Sequence, residues 1–402
     1  MLRDGFAHHL IFSVGLLLII GYILGRLSEK IKLPSITGYI FAGILLGESG
    51  IDLIHHENLE QLNIISEITL SFIAVIIGCE FSLSKLRKYG KRVIILTLSQ
   101  MLLAFSLISF GLIMAGLSEY IAFILGAIGA ATDPAATAVI AESLKAKGEF
   151  IDYLHGTVAL DDAGTVILFS IAFALAGSFI SGHEVNLLHG IVHAAREILF
   201  SLLSGVIAGL IIHYSTRNKH NNVELKFITL GLIFLSTSIC LSLHLSPLIA
   251  NMALGMVLIN MSQNNIRVLT ALQPLTPPLY VIFFTIAGTE LNLGIFTSGS
   301  ALLAGLIFIL MRFSGKYGGI WISGKLLNLS PRIRNWLGLA LMPQAEVAIG
   351  LVIFVQGSSM VQDASPEVSF QITEMINIIL MSVFVNELLG PPLAKMAIRK
   401  NL

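Results

Sequence analysis

The chain carries little charge, which excludes most classes of soluble protein. Of its 402 residues only 12% are Asp, Glu, Lys or Arg, whereas 55% are hydrophobic. Soluble domains contain about 25% charged residues, and the mean hydropathy of this chain is +0.87. The apolar segments leave no stretch long enough for a soluble domain. The composition therefore predicts an all-α integral membrane protein, because a helix satisfies its own backbone hydrogen bonds in lipid.

Cysteines and nucleotide-binding motifs are also scarce. The two cysteines, Cys79 and Cys240, both lie in apolar runs, which indicates small core residues and no disulfide framework. The sequence has no phosphate-binding loop and no dinucleotide fingerprint, so the energy for any transport must come from an ion gradient. We expect no cofactor, no catalytic residues and no nucleic-acid partner, and we predict a transporter rather than an enzyme.

What the chain does have is a series of long apolar runs. About 20 helical residues cross a bilayer core, and on that rule we predict thirteen transmembrane helices, the first of them retained and not a cleaved signal. The predicted spans are 8–27, 34–47, 61–79, 93–116, 120–142, 153–178, 187–212, 224–243, 246–260, 277–289, 299–325, 334–357 and 370–395.

Basic residues are concentrated in alternate loops. One set of loops holds the basic clusters at 26–32, 85–92, 145–147, 217–226, 325–334 and 395–400. The other set has Arg3 alone and is acidic or neutral, as in 48–61 and 357–367. Basic loops stay in the cytoplasm, so the C-terminus is predicted inside and the N-terminus outside an inner cell membrane. That orientation requires an odd number of spans.

Carboxylates occur inside two of the apolar runs. Asp161 and Asp162 are adjacent within 158–170, and Asp133 directly precedes Pro134 in another run. A carboxylate at the bilayer centre costs at least ~2.5 kcal/mol, which favours a role in moving a charge across the membrane. Adjacent helical residues point about 100° apart, so one aspartate is expected to face the ion path and the other a partner helix. The alternative is that both form structural ion pairs.

Two prolines take corresponding places in the two halves of the chain. Pro134 follows Asp133, and Pro343 precedes Glu346, each within a predicted span. Proline breaks a helix, and paired broken helices in inverted repeats indicate a transporter binding site. We therefore predict two broken helices related by an inverted repeat, with Glu346 as a possible secondary site residue.

A broken helix leaves partial charges at its ends. Asp133 is expected to balance the positive ends, and Lys316 the negative ends, although Lys316 could instead reach the cytoplasmic headgroups. Thr132 offers a hydroxyl and a carbonyl suited to a small hard cation. Arg312 and His155 are possible secondary residues. Glu387, near Pro391 and Pro392, is interpreted as an interfacial acid, and the alternative is a gate.

The residues also resemble a known family, the second branch of the monovalent cation:proton antiporters, whose members carry a sodium/hydrogen exchanger domain. The similar segments are 33–47, 77–87, Thr132-Asp133-Pro134, Asp161-Asp162, 245–255 and Gly315-Lys316. Their order and spacing extend over nearly the whole chain, and together they are far more specific than any one of them.

The resemblance implies a single exchanger domain over 1–402 that works by elevator-type alternating access and forms a homodimer. Core helices at about 93–178 and 299–395 would carry the ion, and helices at about 8–79 and 187–289 would form the scaffold. Asp162 would bind the cation or proton, and Asp161 would pair with Lys316. Na⁺ would bind at Asp162, Asp161 and Thr132, with Thr132 and Asp133 lining the crossing.

The expected activity is electrogenic Na⁺(Li⁺)/H⁺ antiport with two protons per cation. A K⁺/H⁺ antiporter is the alternative within the family, and a Na⁺-coupled solute symporter is the alternative outside it. The sequence departs from the family at Pro343-Gln-Ala-Glu346, where members often have Pro-Arg-Gly-Glu, so an arginine at the second break is missing. No soluble regulatory domain is expected within the chain.

Overall fold

All regular structure in the described part of the chain is helical. The computed structural model describes residues 10–31, 35–54, 56–80, 83–133, 136–137, 140–141, 144–180, 187–217, 221–243, 245–261, 266–289, 291, 299–344, 346–356 and 366–401. The helices are α1 Leu10–Lys30, α2 Ser35–Leu46, α3 His56–Glu80, α4 Leu83–Met114, α5 Glu119–Gly129, α6 Glu149–Ile180, α7 Leu187–Thr216, α8 Asn222–Ser242, α9 Pro247–Met261, α10 Ile266–Leu272, α11 Thr276–Thr289, α12 Gly299–Leu326, α13 Pro331–Ala340, α14 Glu346–Gln356 and α15 Pro366–Arg399.

Local sequence explains where several of these helices begin. Asn221 caps α8 by accepting a hydrogen bond from the backbone of Val223 at 2.9 Å. Ser330 caps α13, and Pro331 takes the first helical position, where its missing N–H has no cost. Within α4 the helix is kinked at Gly90, whose φ of 73° lies in the left-handed region that glycine tolerates.

The helices have the length and surface that a bilayer requires. Among the described residues, 8 helices are long and apolar enough to cross a membrane. Their outward side chains are apolar as well, as at Ile19, Phe110 and Leu303, which are 60%, 65% and 53% exposed. A water-soluble protein would cover such groups, so the surface agrees with the predicted membrane location. The number thirteen stays a prediction.

The predicted helix breaks are present at both places. The helix that starts at Glu119 ends at Gly129, residues 130–133 are not helical, and residues 136–137 and 140–141 are helical again. Likewise α13 ends at Ala340 and α14 begins at Glu346, with non-helical residues at 341–344. Pro343 is buried in the second break, whereas Pro134 lies outside the described residues.

The described residues form two compact units. The first takes its residues from 1–64, 89–165 and 281–402, and it contains both breaks. Its apolar core joins α4, α6, α12, α13 and α15. The predicted division into an ion-carrying core and a scaffold concerns movement during transport and stays a prediction.

The second unit takes its residues from 65–88 and 166–280. Helices α7 and α9 approach so closely that a methyl group added at Gly205 would overlap the carbonyl of Ala250. Both cysteines lie in this unit, buried and unbridged, and Cys79 Sγ donates to the carbonyl of Gly255 at 3.3 Å. The interpretation of the cysteines as core residues is confirmed.

Candidate ion-binding site

The candidate site lies in the first unit, where α4, α6 and α12 meet the first break. Glycines bring α4 and α12 into backbone contact, because a methyl group at Gly315 or Gly319 would overlap the Cα atom of Ala104 or Gln100. Small residues of this kind let membrane helices approach closely. The sequence Gly315-Lys316 therefore places a lysine side chain directly between two packed helices.

Lys316 donates to three side-chain oxygens inside the protein. Its Nζ lies 2.7 Å from Thr132 Oγ1 and 3.0 Å from Asp161 Oδ2. It also lies 3.0 Å from the side-chain oxygen of Gln100. Lys316 and Asp161 are both 0% exposed, which rules out the interpretation that the lysine reaches the headgroups. An ammonium has three donors, and each has an acceptor here.

Asp161 accepts from three different donors. Gln100 Nε2 donates to Oδ1, and Thr132 Oγ1 and Lys316 Nζ both donate to Oδ2. An ionised carboxylate only accepts hydrogen bonds, so three donors indicate that Asp161 is ionised and Lys316 protonated in this state. The result is a closed network in which every polar atom of the pair has a partner.

Asp133 joins the two breaks and begins the next helical stretch. Its side chain is 1% exposed, and Oδ1 accepts from the backbone N–H of Ala136 at 3.2 Å. Its own backbone N–H donates to the carbonyl of Pro343 at 2.9 Å. A carboxylate at a helix N-terminus is stabilised by the unpaired N–H groups there, as the sequence predicts for Asp133.

Arg312 makes hydrogen bonds to the carbonyl ends of the broken helices. Its guanidinium donates to the carbonyls of Gly129 at 3.0 Å, Ala131 at 2.7 Å and Met342 at 2.9 Å. A planar guanidinium can reach several carbonyls at once. The described hydrogen bonds of Lys316 go to side chains, and the expectation that its charge balances the negative ends stays a prediction.

Neutral amides and hydroxyls surround the second break. Gln344 Nε2 donates to the carbonyl of Ile128 at 3.2 Å. Its side-chain oxygen accepts from Ser382 Oγ at 3.2 Å and Asn386 Nδ2 at 3.0 Å on α15. Gln344 thus connects the end of α5 with α15.

Glu387 is buried, so its interpretation as an interfacial acid is wrong. It is 0% exposed and interacts electrostatically with Arg312. The predicted span ended at 395, and α15 ends at Arg399. Glu387 therefore lies about three turns inside the helix and not at its end.

The structure brings together Asp161, Thr132 and Lys316. Asp133 lies close by in the first break, and Arg312 on α12 donates to carbonyls at both breaks. The side chains of Asp162 and Glu346 lie outside the described residues, although both residues are helical. His155 is half-buried on α6. The predicted Na⁺ ligands at Asp162, Asp161 and Thr132 therefore stay a prediction.

Sequence reasoning missed Gln100, which is 0% exposed and contacts both charges of the ion pair. A signal was available, because it is a single amide in the apolar stretch 93–116, and buried amides in membranes need hydrogen-bond partners. It also missed the polar face of α15 with Asn377, Ser382 and Asn386, all buried. The sequence alone does not show that side chains of this face form hydrogen bonds with Gln344.

The chain is similar in sequence to several known cation/proton antiporters. The chain is similar to the ammonium/H⁺ antiporter subunit AmhT of Alkalihalophilus pseudofirmus, with 24% identity over 87% of each chain. It is 22% identical to the K⁺/H⁺ antiporter subunit KhtU of Bacillus subtilis, over 85% of this chain and 84% of that one. It is also 22% identical to the high-affinity Na⁺/H⁺ antiporter NhaS3 of Synechocystis, over 81% of this chain and 78% of that one.

The fold is similar to that of the sodium proton antiporter MjNhaP1 from Methanocaldococcus jannaschii. The TM-score is 0.77 at 20% identity, over 97% of this chain and 98% of that one, which confirms a helical antiporter fold. The sequence model described as "Sodium/hydrogen exchanger, transmembrane" matches residues 15–395. With a buried lysine–aspartate pair beside two touching helix breaks, and with this match over almost its whole length, the chain belongs to the sodium/hydrogen exchanger family of monovalent cation:proton antiporters.

Proposed function

We propose that this protein is a Na⁺(Li⁺)/H⁺ antiporter that takes up two protons for each cation it exports. The observation that carries the proposal is the buried Asp161–Lys316 pair at 3.0 Å, with Thr132 bonded to both partners. A cation that binds the oxygens of Asp161 and Thr132 must compete with the ammonium of Lys316 for them. Competition of this kind couples cation binding to proton release.

The exchange follows from the charges in this cluster. In the ion-free state Lys316 is protonated and paired with Asp161, and we propose that Asp162 also holds a proton. When Na⁺ binds, Lys316 and Asp162 each release one proton, so that two protons leave for one cation. The site then carries one unit of charge less than before, which makes the cycle electrogenic. Elevator-type alternating access would present this site to each side of the membrane in turn.

Transport in everted vesicles tests the proposal. A pH-sensitive dye is expected to dequench on addition of Na⁺ or Li⁺, and Asp162→Asn is expected to reduce the response to that of vesicles without the protein. The matched control is Asp152→Asn, the same change at an exposed position of α6, which should keep the wild-type response. Wild-type exchange by Asp162→Asn would contradict the mechanism.

The alternative is K⁺/H⁺ or ammonium/H⁺ antiport. It is favoured by two relatives that cover most of this chain and that are described as a K⁺/H⁺ and an ammonium/H⁺ antiporter subunit. The same vesicles distinguish the alternatives when Na⁺, Li⁺, K⁺ and NH₄⁺ are added separately. A response to K⁺ or NH₄⁺ without one to Na⁺ and Li⁺ would replace the proposed cation. A current on a solid-supported membrane after a cation jump tests electrogenicity.

We further propose an inner-membrane homodimer with its N-terminus outside and its C-terminus in the cytoplasm. The basic loops support this orientation. A fluorescent protein fused after Leu402 should fluoresce, and alkaline phosphatase fused there should be inactive, because each folds on only one side of the membrane. Native mass spectrometry should give twice the mass of one chain.

A further inference from the structure

An open apolar groove of about 960 Å³ runs between α7 and α8 in the second unit. Both helices contribute exposed apolar side chains to it, among them Leu203 and Ile207 from α7 and Leu235 and Ile239 from α8. The candidate ion-binding site lies in the first unit. The groove is therefore a feature that the proposed transport cycle does not use.

The groove extends inward from the outer edge of the membrane. Helix α7 ends at Thr216 and α8 begins at Asn222, and the loop between them is basic, which places it in the cytoplasm. Arg196 precedes Thr216 by 20 positions, or about 30 Å along a helix, and the hydrocarbon core of a bilayer is about as thick. Arg196 therefore lies near the outer headgroups, as does Leu243, which follows α8 and lines the same end of the groove.

Arg196 supplies a positive charge at this outer end. Its guanidinium carbon lies 5.5 Å from the centre of the Phe200 ring, one turn further along α7, and both residues line the groove. A cation over an aromatic face is attracted to the ring, so Phe200 holds the charge beside the groove. The side chain of Arg196 is exposed and can reach a ligand.

The other polar side chains in the groove are neutral and lie deeper. Ser204 is eight positions after Arg196, or about 12 Å along the helix, and its Oγ lies 3.5 Å from Cys240 Sγ. Ser236 is buried. Among the described side chains that line the groove, Arg196 alone carries a charge. The groove thus combines one cationic end with a long apolar wall.

This combination fits a phospholipid better than a helix of a second copy of the chain. An apolar helix would cover Arg196 without supplying a negative partner, and a buried charge without a partner is costly. The phosphate of a lipid accepts two parallel hydrogen bonds from a guanidinium, and an acyl chain covers apolar side chains. Charge complementarity therefore favours the lipid.

We propose that the groove between α7 and α8 binds an anionic phospholipid of the outer leaflet, with its phosphate on Arg196 and one acyl chain along the apolar wall. A net negative headgroup is favoured over a zwitterionic one, because the latter brings a second cation close to Arg196. The inference does not depend on which cation the protein transports.

Native mass spectrometry of the full chain in detergent tests the headgroup contact. Phosphatidylglycerol and phosphatidylcholine with identical acyl chains are added in equal amounts, and phosphatidylglycerol adducts should be about ten times as abundant on the wild type. Arg196→Gln should make the two adducts about equally abundant, and Arg196→Lys should keep most of the preference because it keeps the charge. The matched control is Arg217→Gln, at an exposed position after the cytoplasmic end of α7, which should keep the wild-type ratio.

A second substitution tests the contact with the acyl chain. Ile207→Trp adds volume inside the groove from an exposed position, so it should reduce adducts of both lipids and leave their ratio unchanged. Leu241→Trp, at an exposed position of α8 outside the groove, should have no effect. Thermal unfolding gives an independent readout: phosphatidylglycerol should stabilise the wild type more than phosphatidylcholine does, and Arg196→Gln should remove the difference.

Three outcomes would overturn the inference. The first is equal retention of the two lipids by the wild type, and the second is an unchanged preference in Arg196→Gln. The third is dissociation of a dimer by Ile207→Trp while lipid adducts persist, which would show that a second copy occupies the groove. Cation exchange is measured in none of these experiments, so failure here leaves the proposed function intact, and absence of exchange leaves the lipid site intact.

Discussion

The two helix breaks touch each other, yet they hold different chemistry. The first, at 130–133, faces a lysine, a carboxylate and an amide that exchange hydrogen bonds. The second, at 341–344, is held by Arg312 and by the neutral side chains of Gln344, Ser382 and Asn386. Lysine and aspartate can each lose or gain a proton when their surroundings change, whereas glutamine and serine cannot, and arginine keeps its charge.

The difference indicates that the two breaks have different roles in transport. The first can change its charge when a cation or a proton arrives, which an antiporter requires. The second can keep its hydrogen bonds through the same event and hold the two breaks together. Arg312 connects them, since it donates to carbonyls of both. Substitutions of the side chains that make these hydrogen bonds should therefore differ in kind: at the first break they change pH dependence, and at Gln344 they change stability and rate alone.

The largest effect is expected from Lys316→Ala. It leaves Asp161 as an unpaired charge in the protein interior, which should lower the free energy of unfolding by about 3–5 kcal/mol. Thermal unfolding in detergent measures this. The double change Asp161→Asn/Lys316→Met removes both charges, and it should recover most of the stability without recovering exchange. Lys325→Ala, at an exposed site of the same helix, is the control. A single variant as stable as wild type would mean that the pair is not buried as described.

Arg312→Met should come next, with a loss of about 2–4 kcal/mol. The change leaves carbonyls of both breaks without their donor. Arg312→Lys keeps the charge but has no planar fork, so it should recover only part of the loss. The control Arg332→Met lies at an exposed site and should stay close to wild type. Full recovery by lysine would show that charge alone, and not the three-way hydrogen bonding, holds the breaks together.

Gln344→Met should have the smallest effect, about 1–2 kcal/mol, because it removes bonds between neutral groups. Exchange should slow while the pH of half-maximal exchange stays at the wild-type value. A shift in that pH would remove the distinction between the hydrogen bonds at the two breaks.

The sequence predicts the helices well where the pattern of apolar residues is unbroken. The span expected at 34–47 is Ser35–Leu46 and the one at 299–325 is Gly299–Leu326. Both breaks were expected from proline, because a missing N–H and a ring clash act within one turn. The span expected at 370–395 already ran through Pro391 and Pro392, and the helix is Pro366–Arg399, so the difference lies only at its two ends.

The site was predicted in part. Asp161, Lys316, Thr132 and Asp133 are unusual in apolar runs, so each is visible in the sequence alone. Gln100 was missed, and Glu387 was wrongly interpreted as an interfacial acid. A single amide or acid in the sequence has several interpretations until its neighbours in the structure are known. Arg312 was named only as a possible secondary residue, and nothing in its sequence neighbourhood shows which carbonyls it reaches.

The sequence by itself determined that this is an all-helical membrane protein with two broken helices and acids that cannot lie in lipid unpaired. These conclusions follow from composition, periodicity and proline, which act locally along the chain. Only the tertiary structure decided the partners: Lys316 and Gln100 with Asp161, and Arg312 with the carbonyls of both breaks. Those contacts join residues that are distant in sequence, and they depend on glycines that let α4 and α12 meet backbone to backbone.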